Sequence, residues 1–227
     1  MKRRAMIAAG LAACLPAPLL RAEPAKLPPW EKFDEEDGIS VYRRDVPGSD
    51  VVALRGEAVV AAPILRVASV LTDVSRATEW IDSLEEAKIV RKISDTEYIK
   101  WDHIGTPFVL ADRDFVFNVK LELKAKEKQM IVRLKSVQDA AAPKTDFVRG
   151  HMIYGMYVMT SIDGGKKTKL LTEMLCDPKG SVAKWMVNLF QKSWPHKTIT
   201  ALRAQVKKPD IKDNPKLKDA LTKEGII

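Results

Sequence analysis

The chain has 227 residues, of which 46% are hydrophobic and 30% are charged. This balance is typical of a globular protein, so it excludes wholesale disorder, and the length fits one large domain or two small ones. The formal net charge is +8, but four basic residues and no acid lie within the first 22 positions, which leaves +4 for the remainder. So modest an excess, without an arginine–lysine stripe between aromatic residues, does not indicate a nucleic-acid partner.

The N-terminus predicts an export signal. Met1–Arg4 is basic and Ala5–Leu20 is apolar, and a small residue suited to cleavage follows. The apolar run is too short and too proline-rich for a membrane span, so we expect residues 1–22 to be a signal peptide and the mature protein to be periplasmic. A second processing route stays open, because Leu11–Cys14 resembles the bacterial lipoprotein box, in which Cys14 is acylated and anchors the protein.

A predicted sheet occupies most of the chain after residue 22. Gly38 opens a first strand, a Pro–Gly turn joins it to a second, and an amphipathic helix begins near Pro63. The segment after this helix is helical or irregular and carries Trp80. Alternating apolar residues predict the strands Ile39–Arg44, Val51–Val60, Ala87–Ile93, Glu97–Ile104, Arg113–Lys124, Gln129–Gln138, Phe147–Ile162 and Lys167–Asp177. Hairpin-joined strands followed by one long helix indicate an α+β fold.

A long helix is predicted over Ser181–Val206, after a turn at Asp177–Gly180. Pro195 lies inside this helix and predicts a bend, because proline lacks a backbone donor and clashes with the preceding turn. The tail Lys207–Ile227 has six lysines and little apolar periodicity, so we expect it to be loosely packed or disordered. The helix carries a bulky apolar stripe of Val182, Trp185, Met186, Leu189 and Phe190. A bent sheet closed by such a stripe favours a container for a hydrophobic ligand.

Several of these features together resemble the START (StAR-related lipid transfer) domain. They are Trp80 after an early helix, Arg-Asp-Phe-Val at Arg113–Val116, Asp-Pro-Lys-Gly at Asp177–Gly180, and Trp185 with Asn188 on the closing helix. The similarity covers about residues 30–206, within a domain that we place at 23–206. It implies a helix-grip fold, in which a curved antiparallel sheet wraps around the long C-terminal helix and a tunnel between them holds one lipid or sterol-like molecule.

The resemblance also implies a function. An exported bacterial member of this family is expected to carry a lipid or sterol-like ligand between membranes without catalytic residues, a cofactor or a metal. We expect a monomer that contacts membranes transiently, through the apolar loop Gly105–Ala111. Sterol-binding relatives keep an acid and an arginine in the tunnel. Asp102 matches the acid, but neither Lys100–His103 nor Asn118–Lys120 supplies the arginine, so sterol, phospholipid, fatty acid and hopanoid all stay open as ligands.

Candidate ligand contacts are bulky residues that the predicted strands and helix place near the interior. Asp102 and Arg113 are polar candidates for contact with a ligand head group. Arg113 and Asp114 are also interpreted as a structural pair, in which Asp114 accepts hydrogen bonds at the strand entrance and Arg113 bridges. The three histidines are too scattered along the sequence to indicate a metal site. The other ligand candidates are Trp101, His103, Phe117, Met152, Tyr154, Met156, Trp185, Met186, Leu189 and Phe190.

Two other functions stay open at this point. The same scaffold suits an enzyme, such as a cyclase or hydrolase acting on an aromatic or polyketide substrate. That activity would need Asp102, His103 and Tyr154 to converge in the interior with shifted pKa values. A lipid-gated signalling module would instead bind a partner protein according to its ligand state.

Overall fold

The computed structural model describes residues 27–106, 110–180 and 184–227, and for 184–192 it describes the backbone only. Within these ranges a 3-10 segment, Val74–Glu79, fills the predicted irregular stretch before Trp80, and no helix is long and apolar enough to cross a bilayer. The helices are α1 (Ile64–Thr72), α2 (Lys184–Gln205) and α3 (Pro215–Lys223). The strands are β1 (Glu31–Glu36), β2 (Ile39–Arg44), β3 (Ala53–Val60), β4 (Leu84–Lys92), β5 (Glu97–Ile104), β6 (Arg113–Lys124), β7 (Gln129–Ser136), β8 (Val148–Arg149), β9 (His151–Ile162) and β10 (Lys167–Asp177).

One curved sheet runs in the order β1-β2-β3-β10-β9-β7-β6-β5-β4. Every pair along this path is antiparallel, and the short β8 lies parallel to the start of β6. The predicted α+β, helix-grip architecture is therefore confirmed. The sequence pattern does not predict β1, because Glu31–Glu36 is mostly acidic. Such charge is common on edge strands, where it discourages pairing with other chains.

The two faces of the sheet are packed differently. All three helices contribute to a core on one face, called here the concave face. The other, convex face carries a small cluster in which Trp101 and Val116 pack with Phe147. Residues fully buried in the concave core include Ile64 and Val67 of α1, Met130 of β7, Met159 of β9, Leu170 of β10, Ile199 and Leu202 of α2, and Leu221 of α3.

Helix α2 approaches the sheet closely at one glycine. A Cβ on Gly56 of β3 would lie 2.9 Å from Cδ1 of Ile199 and 3.0 Å from Cβ of Pro195. Both separations are below ordinary van der Waals contact, so a side chain at this position would push α2 away from the sheet. The helix continues through Pro195, and this proline lies against the glycine.

The expectation of a loosely packed C-terminal tail is wrong. Asn214 caps α3 by accepting hydrogen bonds from the backbone N–H groups of Lys216 and Leu217, and Leu221 and Ile226 are completely buried in the concave core. The sequence gives a weak signal here because the apolar residues are few. Helix α1 provides the surface that buries them, so the stability of α3 comes from tertiary packing and not from its own propensity.

Replacing Leu221 with alanine tests whether this segment is part of the core. We expect Leu221→Ala to lower the free energy of unfolding by about 2–5 kcal/mol, because it removes a fully buried side chain and leaves a cavity. Urea unfolding followed by circular dichroism measures the change. Lys218→Ala on the exposed side of the same helix is the control, and equal stabilities of the two variants would contradict the packing described here.

Candidate ligand site on the concave face

Two charged side chains lie buried on the concave face of β5. Lys100 Nζ is 2.9 Å from Asp102 Oδ2, and the two side chains are only 10% and 9% exposed. They share a face because side chains two residues apart on a strand point the same way. Their cross-strand neighbours on β6 are Phe117 and Phe115, so the ion pair sits in an aromatic, apolar surrounding.

One oxygen of this pair has no partner. Asp102 Oδ1 is buried and receives no hydrogen bond among the described atoms. Burial raises the pKa of the Asp102 carboxyl, and the neighbouring Lys100 ammonium opposes that rise. Buried polar atoms are nearly always hydrogen-bonded in native proteins, so the free oxygen marks a place where a donor from a bound molecule would be stabilised.

Aromatic side chains surround the pair. The rings of Phe115 and Phe117 are stacked, with centroids 5.5 Å apart. Burial raises the pKa values of Tyr98 and Tyr157 to about 12, and the negative charge of Asp102 adds to both shifts. Tyr98 is on the same strand as Asp102, whereas Tyr157 is on β9. The negative charge of Asp102 therefore raises the pKa of a tyrosine on a different strand, across the interior of the curved sheet.

A small cavity lies deeper along the concave face. Its volume is about 30 Å³, which holds roughly two water molecules. Gly155 makes room for the Met152 side chain beside this cavity, because a Cβ on Gly155 would lie only 2.6 Å from the Met152 Sδ. The cavity is lined by Leu134, Met152, Gly155, Met156, Tyr157, Thr172, Glu173, Met174 and Trp194.

Two of the predicted ligand contacts lie on the wrong face. Trp101 packs in the convex cluster with Val116. His103 stacks on Phe147 with ring centroids 4.2 Å apart, and its Nε2 is 2.8 Å from Asp112 Oδ2. Strand alternation explains the error, because residues that flank Asp102 on either side must point away from the face that Asp102 occupies.

The β9 candidates divide in the same way. Met152 packs against the concave core, and its contact with a ligand stays a prediction. Met156 Sδ instead accepts a hydrogen bond from Arg133, which also pairs with Glu122, so its side chain is convex. The Tyr154 side chain lies on the convex face, because Tyr154 pairs directly with Leu175 of β10 and paired residues share a face of the sheet. Its buried hydroxyl has no described partner.

The remaining candidates are placed as follows. Phe117 is buried in the concave core, and Arg113 is buried at the start of β6. Arg113 donates to the backbone carbonyls of Ala111, at 2.6 Å, and Lys179, at 3.4 Å, so it joins two loops. The side chains of Trp185, Met186, Leu189 and Phe190 lie outside the described part of the structure.

Asp114 has the structural role that the sequence predicts, but with a different ion-pair partner. Its completely buried carboxylate accepts from Trp101, Thr145 and Arg149, including two bonds from the Arg149 guanidinium at 2.6 and 2.8 Å. Burial alone would raise its pKa, but these donors together lower it. The network fastens the loop before β8 to the convex face. Arg113 is not a member.

Sequence reasoning missed Lys100 as a site residue. The signal was available, since Lys100 and Asp102 alternate with apolar Ile99 and Trp101 on a strand that carries no turn residues. Two opposite charges on one face of such a strand predict either a solvated face or a buried pair. The sheet order, which puts β6 on one side of β5 and β4 on the other, makes β5 an interior strand. This position favours a buried pair over a solvated face.

A ten-stranded curved sheet wrapped around one long helix is the architecture of helix-grip proteins. The family model described as the START domain matches residues 13–209, so this chain belongs to the START family.

Two relatives match over most of this chain. An uncharacterised protein of Pseudomonas aeruginosa is 25% identical over 179 residues, which cover 79% of this chain and 87% of that protein. The phosphatidylcholine transfer protein of Mus musculus is 24% identical over 163 residues, covering 70% of this chain and 75% of that protein.

Solved structures share the fold. The human StAR-related lipid transfer protein 5 superposes with a TM-score of 0.73 at 21% identity, over 78% of this chain and 86% of that chain. A STAR-related lipid transfer protein fragment from Xanthomonas axonopodis gives a TM-score of 0.70 at 24% identity, over 79% of this chain and 99% of that chain. At these identities the likeness shows a common fold.

The Asp114 network predicts a pH dependence of stability. Because the folded-state pKa of Asp114 is lowered, its stabilising contribution is fully present above the unfolded pKa of about 4 and is lost as the pH falls through the folded value. We expect Asp114→Asn to cost about 1–3 kcal/mol at neutral pH, since buried donors lose a charged acceptor. The difference in the free energy of unfolding between wild type and Asp114→Asn should become smaller at acid pH, where Asp114 is protonated in the wild-type protein.

Urea unfolding of the two proteins between neutral and acid pH measures this difference. Asp146→Asn, which removes an exposed carboxylate near the same loop, serves as the control. A difference between wild type and Asp114→Asn that stays constant over the whole pH range would contradict the role assigned to the Asp114 charge.

Proposed function

We propose that this protein binds one lipid or sterol-like molecule against its concave face and carries it between membranes of the bacterial envelope. Membership of the START family supports carriage, because its relatives include proteins named as lipid transfer proteins and as a phosphatidylcholine transfer protein. Carriage needs no chemical step. It needs an interior that holds an apolar body and a polar group that fixes one end.

The buried pair Lys100–Asp102 is the observation that carries the proposal. A core that served only stability would gain nothing from it, because replacing a buried ion pair by well-packed apolar residues is often neutral or stabilising. The pair leaves Asp102 Oδ1 without a donor. A hydroxyl or ammonium group on the ligand would supply that donor, while the ligand body would lie against Phe115 and Phe117.

Ligand entry requires the interior to widen. The described cavity of about 30 Å³ is far below the roughly 300–1,000 Å³ of a typical ligand site. Met152 lies over Gly155, and a flexible methionine can rotate away from an incoming chain. Each apolar carbon of the ligand that is then transferred from water to the interior contributes about 0.8 kcal/mol of favourable binding free energy. A long acyl chain or a fused ring system therefore compensates for the cost of this rearrangement.

Catalysis is the weaker candidate. An enzyme would require Asp102, His103 and Tyr154 on one surface, but His103 is stacked on Phe147 and Tyr154 pairs with Leu175, both on the convex face. Asp102 therefore has neither proposed partner within reach. A lipid-gated signalling role has no residue among the described ones that specifically favours it.

Filling the space above Gly155 tests the proposed site. A leucine side chain exceeds the available volume, so we expect Gly155→Leu to weaken ligand binding by about 1–3 kcal/mol, or about 5- to 150-fold. Mass spectrometry of lipid extracted from the purified protein, together with transfer of a fluorescent lipid between vesicles, measures the effect.

Thr160→Leu adds similar bulk on the same strand, at a position that alternates with core-buried Met159 and therefore faces outward. It should leave the amount of bound lipid unchanged. The proposal fails if no lipid is recovered from the wild-type protein and no transfer occurs. If Gly155→Leu leaves the lipid content unchanged, the ligand site is not beside Gly155.

We also propose that the protein is exported, since its first 22 residues have the composition of a signal peptide. Mass spectrometry of the mature N-terminus from the periplasmic fraction distinguishes the two processing routes. Cleavage after Ala22 predicts a chain that begins at Glu23, and lipoprotein processing predicts an acylated Cys14. An intact Met1 on protein recovered from the cytoplasm would refute export.

A further inference from the structure

The convex face carries a concentrated positive charge. Two segments form it, Lys120–Lys135 on the β6–β7 hairpin and 163–169 on the β9–β10 hairpin. Together they hold nine basic residues and three acids, a net charge of +6, whereas residues 27–227 as a whole carry +4. The rest of the described chain is therefore net negative, by two charges. We call the nine basic residues the convex lysine patch: Lys120, Lys124, Lys126, Lys128, Arg133, Lys135, Lys166, Lys167 and Lys169.

The patch is continuous in space. Strand β7 pairs with β9, with Gln129 opposite Thr160, and the backbone N–H of Ser161 donates to the Lys128 carbonyl at 3.0 Å, so the two hairpins lie side by side. The patch residues on strands alternate with residues of the concave core, such as Val132 and Leu170, and therefore point outward.

The charges are available for binding. All nine basic residues are exposed. Within the described structure only two of them are in ion pairs, Arg133 with Glu122 and Lys167 with Asp163. The described helices pack on the concave side, and among the nine side chains Lys128 is directed toward them, because its Nζ donates to the backbone carbonyl of Gly225 at 3.3 Å.

We propose that the convex lysine patch is a docking surface for an anionic lipid membrane. Eight of its nine members are lysines, which act as hydrated point charges and lack the planar fork with which arginine recognises single phosphates. Neither segment contains an aromatic residue, so the patch has no platform on which nucleic-acid bases could stack. A diffuse sheet of anionic head groups matches such a surface by charge alone.

The location of the patch determines which end of the sheet would face the membrane. It lies at the hairpin end of the sheet, whereas Arg113 joins the loops at the other end of β6. From Arg113 to Lys124, β6 spans about 35 Å. A protein held by the patch would keep its opposite loops free of that membrane. This inference rests on the proposed function only in that a lipid carrier must visit membranes; the charge asymmetry stands without it.

Sedimentation with vesicles tests the proposal. The probes are vesicles of phosphatidylcholine alone and vesicles containing about 30% phosphatidylglycerol, with the mature protein as purified. We expect binding only to the anionic vesicles, and loss of binding as salt rises from about 0.05 to about 0.5 M. Changing Lys124, Lys126, Lys166 and Lys169 together to glutamine should weaken binding by about 100-fold or more.

A matched variant distinguishes the effect of the convex lysine patch from the effect of the protein's net charge. Lys144, Lys207, Lys212 and Lys218 are exposed lysines outside the two hairpins, and changing these four to glutamine removes the same charge. This variant should bind anionic vesicles nearly as well as wild type. Equal losses in both variants, or no loss in either, would overturn the proposal. So would tighter binding to duplex DNA than to anionic vesicles at the same salt.

The lipid content of each variant is measured in the same preparations. If carriage is correct and docking is not, the patch variant keeps its bound lipid and also keeps its affinity for anionic vesicles. If docking is correct and carriage is not, vesicle binding depends on the patch while no preparation contains bound lipid. The two proposals therefore fail by different observations.

Discussion

The close approach of helix α2 to strand β3 at Gly56 is the contact on which the concave interior depends. A single added carbon at this glycine would overlap Ile199 and Pro195. Because protein interiors are packed as densely as organic crystals, displacing α2 would loosen the core to which its Ile199 and Leu202 belong. The helix has lost one backbone hydrogen bond at Pro195, and it lies against the sheet at the same place.

Two buried aspartates show how the curved sheet makes different environments from the same residue. Asp114 on the convex side accepts hydrogen bonds from three side chains, and its pKa is lowered. Asp102 on the concave side has Lys100 as its only described partner, keeps one unpaired oxygen, and has a raised pKa. A satisfied network rigidifies a fold, whereas a half-satisfied pair is costly. This contrast separates a structural carboxylate from one available to a ligand.

Charge is divided between the two faces in a corresponding way. The concave face holds one compensated ion pair among apolar and aromatic residues, and the convex face at the hairpin end holds an uncompensated excess of lysine. Burial excludes net charge from the first environment, while water screens the repulsion among the lysines of the second. One sheet therefore offers a surface suited to an apolar molecule on one face and a surface suited to a charged membrane at the hairpin end of the other face.

The sequence alone determined the order of most elements, the long helix α2 and the family resemblance, because strand alternation, turn residues and the Arg113–Val116 and Asp177–Gly180 motifs can be recognised along the chain without tertiary contacts. It also indicated Asp102 and Phe117 as interior residues. It did not decide which face of β9 points inward, since the run from Met152 to Met159 is apolar on both faces and its register shifts opposite Leu175 and Cys176.

Tertiary structure decided the rest. The irregularity at the start of β9 turns Met152 toward the core and leaves Tyr154 outside, and a bulge of this kind depends on the partner strand. Trp101 and His103 face away from the site because β5 places Asp102 between them. Helix α3 is ordered because α1 buries its few apolar residues. For β9 and α3 the deciding contact joins residues far apart in the chain, and such contacts leave no periodic trace in either segment by itself.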